Sequence, residues 1–185
     1  TSMMMQMLAA GGLDPLTDAR READADNPRG YFEFRRAMSL PKDSSWLPEA
    51  RGRAVKIVAQ LLPGLPADPA LGYRIVFMER PFEEVLPSQR KMLGRLGEQG
   101  AELPDEKLRD VFAEQVRRVR RILAARRIPT LAVAYRDCVA DPAAVAARVN
   151  AFLGGQLDEA AMAVAVDPAL HRNRADGEPL PAMPA

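Results

Sequence analysis

The chain has 185 residues, of which 48% are hydrophobic and 28% charged, so it is long and apolar enough to bury the core of one domain. Its formal net charge of +1 argues against a protein that binds nucleic acid or a membrane surface through general charge. One cysteine, Cys138, excludes an internal disulfide and is typical of a reducing compartment, so we expect a cytoplasmic protein. No apolar run is as long as a membrane span, and the apolar start lacks the basic flank of a signal peptide.

The first ten residues predict a short helix that a Gly-Gly pair ends. The free N–H groups at the start of such a helix, together with the hydroxyls of Thr1 and Ser2, are suited to a phosphate group. The alternative is an ordinary amphipathic helix with a Ser/Thr cap and no ligand.

Residues 13–45 are charged, rich in turn residues and predicted to be mostly loop. Within them, the segment from Asn27 to Glu33 (NPRGYFE) combines a turn signature with aromatic residues, which are scarce in the chain as a whole. Residues 54–62 (AVKIVAQLL) then predict a buried parallel strand that a Pro-Gly pair ends.

A second apolar run, residues 73–78, predicts a strand buried on both faces, and Arg80 follows it. Pro81 suits the first turn of a helix that we expect to run to about Leu96, with two glutamates in that turn. Ser88 lies two turns into this helix. Ligands of open α/β sheets bind outside the carboxyl ends of the strands, and an arginine there is suited to a phosphate. A surface arginine and an ordinary helix serine are the alternative.

Asp105 is predicted to cap a long helix that ends near Arg127 and carries most of its arginines in its second half. We interpret these cations as a solvated face near the C-terminal end of the helix, where the helix dipole favours positive charge. A nucleic-acid patch and an anionic acceptor site are the alternatives.

Residues 129–135 predict a further strand, followed by Arg136-Asp137 and then a loop. A helix is predicted at residues 143–153, between an Asp-Pro start and a Gly-Gly stop, and a short helix at residues 157–165. We interpret Cys138 as a small packing residue, because no histidine that could activate a thiol is near it in sequence.

Several of these segments resemble, in the same order, the sulfotransferases that use 3′-phosphoadenosine 5′-phosphosulfate (PAPS), and in particular a bacterial branch of that family. The family has an arginine at a strand end with a serine eight residues later, as Arg80 and Ser88 are here. The bacterial branch has an Asn-Pro-x-Gly-Tyr-x-Glu segment, like the one that ends at Glu33. Its strand end Tyr-Glu-Asp-Leu, helix start Asp-Pro and helix end Phe-Leu-Gly are similar to residues 135–138, 141–142 and 152–154.

The resemblance implies a three-layer α/β fold of the P-loop type, in which helices flank a parallel sheet. It implies that PAPS is the co-substrate, that no metal is needed, and that the acceptor is a hydroxyl or amine of a small molecule or glycan. Arg80 and Ser88 would hold the 3′-phosphate. Thr1 and Ser2 resemble the end of the loop that holds the 5′-phosphosulfate. Arg172 would contact a phosphate, with Arg174 as the alternative.

Glu33 is the general base that the resemblance implies, because the bacterial branch places the equivalent segment on the acceptor side of the site. Many eukaryotic relatives instead carry a catalytic histidine in a Lys-Thr-His-Leu-Pro strand end, and this chain has Ala59-Gln60-Leu61-Leu62-Pro63 there. A positioned carboxylate can take the proton of an acceptor hydroxyl. The rival carboxylates nearby in sequence are Glu22, Asp24 and Asp26.

The resemblance begins inside the phosphosulfate loop, so the family's first strand and the Pro-Arg/Lys and Ser-Gly of that loop have no counterpart here. We therefore expect a sulfotransferase-like domain over residues 1–174 that is incomplete at its N-terminus, and a flexible Pro-rich tail over residues 175–185. Such a chain is expected to be weakly active or inactive. A non-catalytic nucleotide-binding fragment and a P-loop kinase using ATP are the alternatives.

Overall fold

A computed structural model describes residues 1–18, 30, 32–86 and 104–167. Its helices and strands are α1 (Ser2–Ala10), β1 (Ile75–Glu79), α2 (described over residues 82–86), α3 (Asp105–Ala125), β2 (Thr130–Ala134), α4 (Tyr135–Ala140), α5 (Pro142–Leu153) and α6 (Glu159–Val164). Short 3₁₀ segments cover Arg35–Ser39, Leu47–Ala50, Ala59–Gly64 and Pro69–Leu71. The protein is therefore a mixed α/β structure that is mostly helical.

The two strands pair in parallel, with Ile75 opposite Thr130 at one end and Glu79 opposite Ala134 at the other. Parallel strands need a long crossover connection, and α3 lies within the connection between them. The expected α/β class with parallel strands is confirmed. Among the described residues the sheet has these two strands.

Side chains of β1 alternate between two hydrophobic clusters, as the pleat of a strand requires. Val76 and Met78 pack in the α1 cluster, whose fully buried members include Met7, Val133, Val145, Val149 and Met162. Ile75 and Phe77 pack in the α3 cluster, whose buried members include Leu40, Trp46, Val119 and Leu123. Helices therefore cover both faces of the strand pair, and a residue's position along β1 decides which cluster it joins.

Helix α1 is confirmed where the sequence predicted it, but it is not amphipathic. Residues 3–8 are all buried, including Gln6, because the helix packs within the α1 cluster and against α6. Gly11, which follows the helix, is needed for this close packing. A Cβ at Gly11 would lie 2.6 Å from the Cγ of Met162 in α6.

The prediction of a strand at residues 54–62 is wrong. Ala54 makes only an isolated parallel bridge with Pro15, residues 55–58 form no ladder, and Ala59–Gly64 is a 3₁₀ helix. Val58 is 48% exposed, so the apolar run is not buried on both faces. An apolar run becomes a strand only when a neighbouring strand satisfies its backbone groups, and Pro63 cannot donate a ladder hydrogen bond.

The C-terminal half follows the predicted order with two corrections. The N-cap of α3 is Pro104 and not Asp105, which is the first residue of the helix. The loop expected after β2 is instead the short helix α4. The cap at Asp141 is confirmed, since its Oδ1 accepts a hydrogen bond of 2.9 Å from the N–H of Ala144. Helix α5 ends as predicted at Gly154, whose φ of 117° is a conformation that favours glycine.

Asn150 joins α5 to the segment that leads into α6. Its side-chain N–H donates to Glu159 at 2.7 Å, and its side-chain oxygen accepts from the N–H of Leu157 at 2.8 Å. The residue is buried, so both groups would be costly to leave unpaired.

We predict that Asn150→Ala lowers the free energy of unfolding by about 1–3 kcal/mol, because it leaves the N–H of Leu157 and the carboxylate of Glu159 without this partner. Urea denaturation, monitored by circular dichroism, measures the change in the free energy of unfolding. Glu159→Gln, which keeps an acceptor oxygen, is the control and should change stability by less than about 1 kcal/mol. Equal stability of Asn150→Ala and the wild-type chain would contradict the assignment.

Candidate functional site

The candidate site lies at the carboxyl ends of the paired strands. Because Glu79 and Ala134 are register partners, the residues that follow them, Arg80 and Tyr135, lie side by side. The guanidinium carbon of Arg80 is 4.5 Å from the centre of the Tyr135 ring, which is a cation–π contact. The prediction that Arg80 lies at the carboxyl edge of the sheet is confirmed.

Arg80 also forms an ion pair with Glu84, one turn into α2. The Nε of Arg80 lies 2.7 Å from Oε2 of Glu84. Only 7% of the Glu84 side chain is exposed, whereas 26% of the Arg80 side chain is exposed. A buried carboxylate is stable only with a partner, and the guanidinium supplies it. The i,i+4 spacing of an arginine and a glutamate was a signal for this pair in the sequence.

The start of α1 lies close to Arg80. The pKa of the Thr1 amino group is lowered to about 6, first by loss of solvent and then by the positive charges of Lys56 and Arg80. Within the described part of the chain, the Thr1 side chain makes no capping hydrogen bond to α1, and the half-buried Ser2 is the first residue of the helix. The positive end of the α1 dipole therefore adds to the charges of Lys56 and Arg80 in this region.

Lys56 connects this region to Glu33. Its Nζ lies 3.8 Å from Oε1 of Glu33, and the lysine side chain is 18% exposed. Glu33 is more exposed and lies between Phe32, which packs on the α1 cluster, and Phe34, which packs on the α3 cluster. Sequence reasoning missed Lys56. Its signal was a single lysine inside the apolar run AVKIVAQLL.

The start of α1, with Thr1 and Ser2, thus lies within the electrostatic reach of Arg80 and of Lys56, and Lys56 lies 3.8 Å from Glu33. The other predicted site residues, Ser88 and Arg172, lie outside the described residues, as do their rivals Glu22, Asp24, Asp26 and Arg174. Those assignments stay predictions. Such a group of cations beside a helix start is suited to bind a ligand with more than one anionic group.

Cys138 lies beneath this region, in α4. It is fully buried in the α1 cluster, and burial raises the pKa of its thiol to about 11. The thiolate is the reactive form of cysteine, so the folded protein holds Cys138 as an inert packing residue, as the sequence predicted.

The arginines of α3 are engaged within the protein. Arg117 and Arg121 each lie 2.9 Å from a carboxylate oxygen of Glu114, and Arg117 is the main cause of the lowered pKa of that glutamate. Arg120 pairs with Glu79 at the end of β1. Arg126 donates to backbone carbonyls of the Ala59–Gly64 region and Leu65. Arg120 and Arg126 therefore tie α3 and its C-terminal end to the sheet and to the neighbouring loop, whereas Arg117 and Arg121 pair within α3.

In the described ranges, no group of three histidine, cysteine, aspartate or glutamate side chains is placed to hold a metal ion. None of the helices described is long and apolar enough to cross a lipid bilayer. No family model matches the chain, and no curated protein or solved structure is significantly similar to it.

We predict that Cys138, the only cysteine, reacts with iodoacetamide at pH 8 at least about 100-fold more slowly in the folded chain than in urea. Burial and the raised pKa both suppress the thiolate. Mass spectrometry of the alkylated chain over time gives the rates. Comparable rates with and without urea would show that Cys138 is accessible.

Proposed function

We propose that this chain is a sulfotransferase that uses PAPS and acts on a hydroxyl or amine of a small molecule or glycan. The observation that carries the proposal is the placement of Arg80 at the carboxyl ends of the parallel strands, beside the start of α1. An anion-binding arginine at this edge, after a strand and before a helix, is the feature on which the family resemblance also depends.

The charges of the site match the charges of the donor. PAPS carries a 3′-phosphate on the ribose and a phosphosulfate on the 5′-oxygen, so it needs two anion-binding regions. Arg80 and Ser88 form the first in this proposal. The start of α1, with Thr1, Ser2 and Lys56, forms the second. Lys56 supplies a side-chain cation that the family's phosphosulfate loop otherwise contributes.

The proposed reaction is an in-line displacement at sulfur. The acceptor oxygen or nitrogen attacks the sulfur, the bond from sulfur to the 5′-phosphate oxygen breaks, and 3′,5′-adenosine bisphosphate leaves with the electron pair. Glu33 takes the acceptor proton. Lys56 and the start of α1 neutralise charge on the leaving phosphate. The alignment of both substrates provides the rest of the rate enhancement.

The detailed fold of the chain is part of the same proposal. Helices on both faces of the β1–β2 pair support a three-layer arrangement of the P-loop type, with helices flanking a parallel sheet. Arg172 would contact a phosphate of the donor, with Arg174 as the alternative.

We predict that the chain binds 3′,5′-adenosine bisphosphate in preference to ATP, and that Arg80→Ala weakens this binding about 10- to 100-fold through loss of charge-assisted hydrogen bonds to the 3′-phosphate. Isothermal titration calorimetry gives both affinities. Arg109→Ala is the matched control, since Arg109 also pairs with a glutamate of α2, at 2.7 Å, but belongs to α3 and does not follow a strand. Its affinity should equal that of the wild-type chain.

The titration also separates the alternatives. Tighter binding of ATP than of the bisphosphate would favour a kinase and overturn the proposal. Selective binding of the bisphosphate without turnover of PAPS would favour a non-catalytic nucleotide-binding protein. If neither nucleotide binds, the chain does not have the proposed nucleotide site.

We predict that Glu33→Gln lowers the rate of sulfuryl transfer from PAPS to 2-naphthol about 100-fold, because the amide cannot accept the acceptor proton. The KM for PAPS should change little. Release of 3′,5′-adenosine bisphosphate measures the rate. Glu49→Gln is the control, because Glu49 is another exposed glutamate paired with a basic side chain, Arg36, at 2.9 Å. An unchanged rate in Glu33→Gln would exclude Glu33 as the base.

A further inference from the structure

Two elements hold the guanidinium of Arg80 from different directions. Glu84 engages Nε, on one edge of the guanidinium plane, and the ring of Tyr135 lies against the guanidinium at 4.5 Å. An arginine binds a phosphate through two N–H groups of its planar fork, so the orientation of that plane decides whether both can reach the ligand. With Nε on Glu84, the terminal nitrogens are the donors through which Arg80 would reach a phosphate.

Glu84 is well placed to fix this orientation. It lies in the first turn of α2, and its backbone N–H donates to the carbonyl of Pro81 at 3.0 Å. The helix start favours a negative charge there, and burial leaves the carboxylate little room to reorient. The other glutamate of this turn, Glu83, is much more exposed and pairs with Arg109 instead.

Tyr135 is fixed in the same way from the second strand. It follows β2 directly, begins α4 and packs on the α1 cluster. Burial raises the pKa of its hydroxyl, so the ring stays uncharged at neutral pH and keeps the negative face that attracts a guanidinium.

We infer that Glu84 and Tyr135 are positioning residues that orient Arg80 towards the 3′-phosphate of the nucleotide, and so determine specificity for 3′-phosphorylated nucleotides. This inference rests on the proposed function, since it assigns the orientation of the arginine on which PAPS recognition depends. Neither residue touches the reacting atoms. Their effect is on the affinity for one phosphate group.

A competitive role for Glu84 would have the opposite effect on nucleotide affinity. A carboxylate beside Arg80 repels a bound phosphate, so a purely competitive Glu84 would weaken nucleotide binding and its removal would strengthen it. The positioning role has the opposite sign, because an arginine without a fixed plane loses the second hydrogen bond and must order its side chain on binding. The sign of the change therefore distinguishes the two roles.

The test is calorimetric titration of the full chain with 3′,5′-adenosine bisphosphate and, separately, with adenosine 5′-phosphate, which lacks the 3′-phosphate. Glu84→Leu should weaken binding of the bisphosphate about ten-fold, the effect of roughly one charge-assisted hydrogen bond, and leave the affinity for the monophosphate unchanged. The affinity of Glu84→Gln for the bisphosphate should lie between those of the wild-type chain and Glu84→Leu, because the amide oxygen still accepts from Nε of Arg80. Glu83→Leu is the matched control on the same turn, with no change expected for either nucleotide.

Tyr135 provides an independent arm. Tyr135→Phe keeps the ring and should bind the bisphosphate as the wild-type chain does, whereas Tyr135→Leu should weaken it. In the Arg80→Ala background, Glu84→Leu should cause no further loss, because the residue acts only through the arginine. Thermal unfolding of each variant identifies a chain that has failed to fold, and Glu84→Gln then carries the test.

The outcomes separate this inference from the proposed function. No binding of the bisphosphate to the wild-type chain overturns the proposed function. Selective binding that Arg80→Ala abolishes, but that Glu84→Leu leaves equal or strengthens, overturns the positioning role and keeps the function. Equal loss for both nucleotides in Glu84→Leu assigns Glu84 to general folding and also overturns the inference.

Discussion

The parallel pairing of β1 with β2 is the constraint on which the candidate site depends. In a parallel pair both carboxyl ends lie at the same edge, so the register of Glu79 with Ala134 brings Arg80 and Tyr135 together. Residues alternate between faces along a strand, which sends Glu79 towards Arg120 on α3 and Arg80 towards the α1 side. A slip of one residue would exchange these two charges between the faces and separate Arg80 from the start of α1.

Buried and half-buried charge at this edge is stabilised by pairing. Arg80 pairs with Glu84, Arg120 with Glu79, and Lys56 lies near Glu33. Each cation would be costly to bury alone, and each carboxylate lowers that cost. The local charge of the edge therefore stays moderate, in a chain whose formal net charge is +1. The proposed ligand at this edge would therefore be recognised by the geometry of a few donors rather than by a strong general field.

The parts of the site that the sequence predicted are those fixed by local pattern. The apolar run before Arg80 predicted β1, and the turn at Pro81 placed an arginine at its end, because strand and helix signals change over a few residues there. The strand at residues 54–62 failed because strand formation needs a partner, and an apolar run does not specify one. The position of Lys56 in the site was not predicted for the same reason, because only tertiary packing places it near Glu33 and within electrostatic reach of the start of α1. The i,i+4 spacing of Arg80 and Glu84 indicates their pairing, although the helix dipole alone also accounts for a glutamate in that turn.

The arrangement around Arg80 also explains why arginine, and not lysine, suits this position. The guanidinium places its Nε 2.7 Å from Glu84 while it lies against the Tyr135 ring, and its planar fork matches the geometry of a phosphate. An ammonium group also attracts carboxylates and aromatic rings, but it is a compact point charge without a planar fork, so it would bind a phosphate with less geometric specificity. Lys56 is in the opposite situation, because its contact with Glu33 at 3.8 Å is a loose one between flexible side chains. In the proposed reaction, Lys56 neutralises charge on the leaving phosphate, whereas Arg80 holds the 3′-phosphate in one orientation.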